Sequence, residues 1–374
     1  MSETTKSALS LSTATGRWSG LGPYYAMFPR EFAFQVIETY SKPGDAVLDP
    51  FAGRATSVYA AAAMQRSGCG IEINPVGWLY GHVKLKPALK TNVLKRIKSI
   101  SDIAKSVSQE ELKELPEFFS VCYCPDVLRY LVAARDVLQW KNSLIDATLI
   151  AIILVHLHGR REQSLSNQMR QGKSMAPDYS VRWWRERQLT PPEVDPVEFL
   201  IRRVEWRYAK GIPDLRKNGK LKLGDSISLL NSLQKQVYRG EQKPFDLLFT
   251  SPPYYQLTNY YYDQWLRLWM LGGPNQPIWI SDKWKNKFES KSAYRELLQK
   301  VFRGCAEIMT STAIIYVRTD ARQFTQETTK EILRNLFPHK SIDIVSQPFS
   351  KHTQTALFGD KSKKPGEVDI IMYS

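Results

Sequence analysis

Residues 45–74 read DAVLDPFAGRATSVYAAAAMQRSGCGIEIN, and the stretch changes character three times. Asp45 to Leu48 is a short apolar strand that follows the turn Lys42-Pro-Gly44. PFAGR is small and turn-forming, and ATSVYAAAAMQR is rich in helix formers. Gly68 to Ile73 reads as a second strand, and Asn74-Pro75 opens another helix with proline in its first turn. Strand, glycine turn, helix and strand make a βαβ unit, which belongs to a parallel sheet. In the turn, Asp49 to Thr56, small residues let backbone amides approach a ligand, and the helix N-terminus favours an anionic group. Glu72 ends the second strand 23 residues beyond Asp49. In dinucleotide folds an acid at about 20 residues holds ribose hydroxyls. The plain alternative is an ordinary tight turn and a solvated glutamate.

The alternation continues at a distance. Phe245 to Thr250 reads as a third strand, Ala313 to Arg318 as a fourth, and Ile342 to Val345 with Val368 to Tyr373 as a closing pair. The expected fold class is α/β, Rossmann-like, with a mostly parallel sheet and a largely helical insertion. Residues 85–208 break the rhythm and carry a basic, aromatic block, residues 159–188, with seven basic residues against three acids. The expected division is a flexible tail over 1–16, one α/β domain over 17–84 and 209–374, and the insertion over 85–208.

The third strand runs out through FDLLFTSPPYYQ, residues 245–256. Two prolines fix φ and remove two backbone donors, so nearby carbonyls stay free to accept. Ser251 adds a hydroxyl, and Tyr254 a flat face for a planar substrate. Oxygen acceptors beside an aromatic ring suit an aromatic amine. Taken alone, the same residues also describe a structural Pro-Pro turn covered by core tyrosines.

Charge narrows the partner. The chain has 374 residues, 43 % apolar and 24 % charged, as expected of a globular protein with a sizeable core. Lysine and arginine total 52 against 37 acids, for a net charge of +15. That excess favours a polyanion, nucleic acid before membrane. The first 16 residues have no apolar h-region, and the longest apolar run, Ala147 to Leu157, is too short to span a bilayer. A cytoplasmic location is expected. Cys69, Cys122, Cys124 and Cys305 form neither a zinc pattern nor a disulfide framework, so reduced core cysteines and no metal are expected.

DPFAGRAT, GIEINP, the GDS at Gly224 to Ser226 and TSPPY at Thr250 to Tyr254 together resemble the amino-methyltransferases of DNA. The run GPYYAMFPREFAFQVIETYSKPGD is similar to the segment that precedes the glycine motif in that family. The resemblance covers roughly residues 20–85 and 220–320. It implies transfer of methyl from S-adenosyl-L-methionine to an exocyclic base amine in double-stranded DNA, with a cognate restriction endonuclease as a further partner. By the same resemblance Asp49, Phe51 and Gly53 line the methionine end of the cofactor. Glu72 binds the ribose, with Asn74 beside it, Asp225 meets the adenine amine, and Tyr24 and Tyr25 close over the methionine moiety. Ser251 and the Pro252 carbonyl, with Pro253, hold the target amine, and Tyr254 stacks on the flipped base. Serine at the first motif position is more typical of cytosine N4 enzymes than of adenine N6 enzymes.

The chain departs from the family at the glycine motif, where Ala55 stands for the second glycine and Arg54 precedes it. Arg54 is expected to change how the cofactor carboxylate is met. Target recognition is placed in the insertion, with Arg170, Lys173, Arg182, Arg185 and Arg187 on the phosphates, or in a shorter contribution from Leu271 to Lys300. Carbon methylation of cytosine would need a cysteine nucleophile, and no cysteine lies near TSPPY. Adenine N6 methylation, RNA methylation by the same fold, and a binding module without catalysis remain as alternative readings.

Overall fold

The computed structural model describes residues 1–23, 28–255, 260–277, 290–347 and 366–374. Its centre is a seven-stranded sheet in the order β3-β2-β1-β4-β5-β7-β6. The strands are β1 (Ala46–Asp49), β2 (Ser67–Glu72), β3 (Gly219–Leu223), β4 (Phe245–Thr250), β5 (Met309–Asp320), β6 (Ser341–Gln347) and β7 (Glu367–Tyr373). The first five are parallel, and β7 lies antiparallel between β5 and β6. This is the Rossmann-like α/β sheet expected, closed by the expected pair. β1 is buried at every residue and β4 at all but one, which is why both read as continuous apolar runs. β3, GKLKL, is missing from the sequence reading. It is an outer strand whose lysines meet water, and charge along an edge hides the strand signal.

Three helices precede β1: α1 (Glu3–Ala8), α2 (Ala14–Ser19) and α3 (Arg30–Tyr40). α4 (Thr56–Ala63) joins β1 to β2, and α5 (Pro75–Leu85) leaves β2. The insertion supplies α6 (Lys90–Ala104), α7 (Gln109–Lys113), α8 (Glu117–Cys122), α9 (Pro125–Val137), α10 (Leu144–His156), α11 (Pro177–Glu186) and α12 (Pro196–Tyr208). After it come α13 (Ser226–Tyr238), α14 (Tyr260–Asp263), α15 (Trp265–Met270), α16 (Lys291–Ala306) and α17 (Gln323–Leu336). Helices α13, α16 and α17 cover one face of the sheet. Helices α3, α4 and α5 cover the other and share one apolar core with the insertion. The apolar run 147–157 falls in α10, buried along almost its whole length in that core.

Residues 1–16, expected as a flexible tail, instead hold α1 and the start of α2. Their serines and threonines act as caps. The Thr5 amide donates to Ser2 Oγ at 3.2 Å and the Gly16 amide to Thr13 Oγ1 at 2.9 Å. The Ser2 amide and Thr5 Oγ1 also donate to Glu38 of α3, at 2.9 and 2.7 Å.

The glycine turn carries backbone strain. Gly53 and Ala55 are both left-handed, with φ of 54° and 58°. Glycine adopts that conformation freely, and a side chain costs about 1–2 kcal/mol there. The turn is also crowded, since a Cβ on Gly81 would lie 2.7 Å from Ala55 Cβ and one on Gly77 would lie 2.8 Å from the Gly53 carbonyl. Ala55→Val should therefore destabilise the chain by about 2–4 kcal/mol through strain and overpacking. Ala55→Gly should change stability by no more than about 1 kcal/mol, because relief of strain offsets the lost methyl. Urea midpoints at constant m-value measure both.

Register between β5 and β7 is fixed by a buried ion pair. Arg318 and Asp369 face each other across the ladder. The guanidinium donates to both carboxylate oxygens at 2.6 and 2.8 Å, and lies over the Phe32 ring at 3.4 Å. Removing Asp369 leaves the buried guanidinium with Glu367 alone, 3.1 Å away, so Asp369→Ala should cost up to about 3 kcal/mol in urea unfolding. The double change Arg318→Met with Asp369→Leu should cost clearly less; equal losses would remove the pair as the register pin.

Candidate active site

The carboxyl ends of β1, β2 and β4 meet at one edge of the sheet, where open α/β folds bind ligands. Asp49 ends β1 and is almost fully buried. Its Oδ1 accepts from Thr250 Oγ1 at 2.6 Å and from the Phe51 amide at 3.1 Å. Its Oδ2 accepts from Ser57 Oγ at the start of α4. Burial pushes this carboxyl up to about 6, against the pull of those donors. Asp49 thus ties β1, β4 and α4 together, while Phe51 and Gly53 form the turn above it.

Arg54 turns into the protein. It is buried, and donates to the Gly22 carbonyl at 2.8 Å and to Thr56 Oγ1 at 3.3 Å. Arg54 anchors the glycine turn to the N-terminal segment. Tyr24 and Tyr25 lie outside the described residues.

Glu72 Oε2 accepts the Gly53 amide at 2.6 Å and Oε1 accepts the Asn74 amide at 2.7 Å. Burial raises its carboxyl to about 8, although three backbone N–H groups favour the charged form. Asn74 caps α5, its Oδ1 accepting the Val76 amide at 2.9 Å. Its Nδ2 is buried and, among the described residues, has no hydrogen-bond partner. Asp225 caps α13 by accepting the Ser228 amide at 3.1 Å, and lies on the wall of a cleft of about 890 Å³ together with Ile73, Leu223 and Gly224.

At the end of β4, Ser251 Oγ donates to Tyr254 Oη at 3.4 Å, and Tyr254 Oη donates to Glu367 Oε1 at 3.1 Å. Burial first, and the Glu367 charge second, hold the Tyr254 hydroxyl well above its usual range, so it remains a donor. Glu367 is itself paired with Arg318 at 3.1 Å. Arg322, paired with Asp320 at 2.9 Å, donates to the Tyr255 carbonyl. Tyr255 packs on Tyr294 and Phe324 at ring distances of 5.7 and 5.2 Å. Two charged arrangements therefore hold the Ser-Pro-Pro-Tyr-Tyr segment. The sequence reading missed Glu367, Arg318, Asp320 and Arg322. The available signal was the charge inside otherwise apolar strand ends, AIIYVRTDAR and EVDIIMY.

The basic block packs on α14 and α15, which fix the loop between α10 and α11. Arg267 of α15, fully buried, donates to the carbonyls of Leu154 and Gln171 at 3.1 and 2.6 Å. Trp265 Nε1 donates to the Met175 carbonyl at 3.0 Å. Of the residues expected on phosphate, Arg185 pairs with Glu117, Arg187 with Glu186 at 3.3 Å and Lys173 with Asp263 at 3.4 Å. Arg182 is exposed near Tyr179, and the Arg170 carbonyl accepts from His158 Nδ1 at 2.7 Å. Trp184 is core, and Trp183 lies under the Arg187 guanidinium at 4.5 Å. Within 271–300, residues 278–289 lie outside the described part. Among the described residues no group of side chains has the makings of a metal site, all four cysteines are buried and free, and no helix is long and apolar enough to cross a membrane.

Residues 3–76 match a family model described as DNA methylase. A stretch of 49 residues is 45 % identical to the Type II methyltransferase M.MthZI of Methanothermobacter thermautotrophicus, covering 13 % of this chain and 14 % of that protein. The chain thus matches well under two thirds of that relative's length. Among solved structures, the rRNA methyltransferase aviRa from Streptomyces viridochromogenes aligns over 98 % of this chain and 92 % of its own, at 11 % identity and a TM-score of 0.35. A candidate methyltransferase complexed with SAH aligns over 92 % and 50 %, at 12 % identity and a TM-score of 0.33. The strand order carries the fold, and the two sequence matches liken part of this chain to DNA methyltransferases.

Proposed function

We propose that this chain transfers the methyl group of S-adenosyl-L-methionine to the exocyclic N4 amine of cytosine in double-stranded DNA. The observation that carries this reading is one edge of one sheet. Ser251-Pro252-Pro253-Tyr254 at the end of β4 stands next to the glycine turn of β1, which Glu72 of β2 closes. The residues present fit the cofactor. Among the described residues Asn74 Nδ2 is a buried donor with no partner, and the Glu72 carboxylate, with about four lone-pair sites, keeps acceptor capacity beyond its backbone donors. Phe51, Gly53, Glu72, Asn74 and Asp225 would hold it, with Asp49 as the positioning residue beneath the turn.

The bound cofactor supplies a sulfonium methyl already activated for transfer. The chain then needs to place the amine nitrogen in line with that methyl and to accept its developing positive charge. Ser251 Oγ and the Pro252 carbonyl are oxygens suited to the amine N–H groups. The prolines leave no backbone donor to compete. The Glu367–Tyr254–Ser251 chain of hydrogen bonds orients the serine, and the Tyr254 ring stacks on the base. Leaving the duplex costs the base a few kcal/mol. Phosphate contacts from a chain of net charge +15 contribute to offsetting that cost. In this reading residues 17–84 and 209–374 catalyse, and 85–208 recognises the target. Arg182 contacts phosphate directly, whereas Lys173, Arg185 and Arg187 first leave their acidic partners and Arg170 exchanges its own contacts for phosphate.

Mass analysis of nucleosides from DNA treated with protein and S-adenosyl-L-methionine should show N4-methyldeoxycytidine. N6-methyldeoxyadenosine would move the target to adenine, and methyl found only in RNA would overturn the DNA reading. In single-turnover experiments Ser251→Ala should slow the chemical step. Tyr254→Phe and Glu367→Gln should each slow it by roughly ten- to a hundredfold, as loss of about 1–3 kcal/mol of hydrogen bonding implies. Parental rates in all three variants would leave TSPPY as a turn only.

Glu72 supplies a pH test. A carboxylate accepts from both ribose hydroxyls, and its proton must leave first. With the free-protein value at about 8, affinity for 5′-methylthioadenosine, which does not titrate near that value, should rise roughly tenfold from pH 7 to pH 9 and then level. Glu72→Gln should bind more weakly and show a flat profile; the same slope in that variant would remove Glu72 from the site.

A further inference from the structure

The cleft beside Asp225 has two walls of different origin. One consists of the sheet's own ends, with Ile73, Pro75, Leu223 and Asp225. The other combines the turn after α15 with two insertion residues, Trp140 and Lys141, from the connection between α9 and α10. We propose that Trp140 covers the adenosine end of S-adenosyl-L-methionine, so that the insertion completes the cofactor pocket as well as facing the target. The inference rests on the methyltransferase reading above.

Position favours the adenosine end over the extruded base. In the order β3-β2-β1-β4, the cleft lies at the ends of β2 and β3, while Ser251 stands at the end of β4 across β1. Glu72, the ribose ligand, immediately precedes Ile73 on the cleft wall. At about 890 Å³ the cleft falls within the usual range for small-molecule sites. On the sheet side it offers aliphatic Ile73, Pro75 and Leu223, and a purine also binds well against an aromatic face.

The Trp140 turn is built to stay in place. The Gln139 amide donates to Asp146 Oδ2 at 2.9 Å, the Ser143 amide returns to the Gln139 carbonyl at 2.9 Å, and Arg96 pairs with Asp146 at 2.8 Å. The Trp140 ring packs toward Trp78 of α5 at 6.1 Å. Arg135 of α9 fixes the rest of that wall, donating to the carbonyls of Trp269 and Gly273 at 2.9 and 3.0 Å. An aromatic ring held this firmly on a cleft loses little freedom when a ligand stacks on it.

Calorimetry with S-adenosylhomocysteine and with 5′-methylthioadenosine tests the assignment on the full chain. Trp140→Ala should weaken both about tenfold, and Trp140→Phe should restore most of the loss. Parental affinity within about twofold, in a variant that melts like the parent, would overturn the role of Trp140 while leaving the methyltransferase reading intact. So would a loss for S-adenosylhomocysteine without one for 5′-methylthioadenosine, because the ring would then act away from the adenosine. A parent chain that binds neither ligand overturns the methyltransferase reading itself, and this inference with it. Should Trp140→Ala fail to fold, Trp140→Leu keeps apolar volume without the aromatic face and should weaken both ligands in the same way.

Discussion

One buried carboxylate sets the distance between the two halves of the site. Asp49 accepts from Thr250 at the end of β4, from Ser57 at the start of α4 and from the Phe51 amide in the turn between. Only a carboxylate has enough acceptor capacity for three donors arriving from three directions; an asparagine oxygen has two lone pairs and would bring an amine with no acceptor to meet it. Hydrogen bonds to a charged group contribute about 1.5–3 kcal/mol each, which offsets the desolvation that pushes the acid upward. Ser251 follows Thr250 directly, and Gly53 lies two residues beyond Phe51. This edge of the sheet is therefore placed by backbone tied to a single side chain.

Much of this was legible in order along the chain. Strand β4 matched its apolar run to the residue, and β1 and β2 were displaced by only one residue, because central parallel strands bury both faces and read as unbroken hydrophobic segments. Glu72 stood out by its position at a strand end. What stayed hidden depended on pairing between distant segments. Glu367 and Asp369 face Tyr254 and Arg318 only because β7 runs antiparallel beside β5. No local pattern encodes that neighbour. The Ser/Thr-rich N-terminus misled for the opposite reason: residues that suggest disorder by composition also cap helices, and Ser2 and Thr13 do so here.

The basic block illustrates how charge in a sequence overstates charge at a surface. Arg185, Arg187 and Lys173 each have an acidic partner, and Trp184 fills the core with its indole N–H on the Gln168 carbonyl at 2.6 Å. Exposed pairs of this kind are worth little to stability, about 0–1 kcal/mol. Exchanging such a carboxylate for a phosphate is therefore cheap, and the pairs do not exclude a nucleic-acid role. Helix α10 joins the Trp140 turn at its start to the basic loop after its end. At 13 residues it spans about 20 Å, buried along its length, and so holds those two regions at a set separation.

The site also carries its own cost. Asp49 and Glu72 both have folded-state values above those of an unfolded chain, about 6 and about 8. For acids shifted upward, the associated stability is full below the unfolded values near 4 and is lost as pH rises, through about 6 for Asp49 and about 8 for Glu72. At about 1.4 kcal/mol per pH unit, each group removes on the order of 3 kcal/mol by neutral pH. A ligand at a hundred times its dissociation constant returns about 2.7 kcal/mol to the folded state. The two magnitudes are comparable, so a ligand bound at that strength offsets much of what one of these acids costs. Buried acids that would be a liability in a purely structural turn are thus consistent with a pocket whose folded state is completed by what it binds.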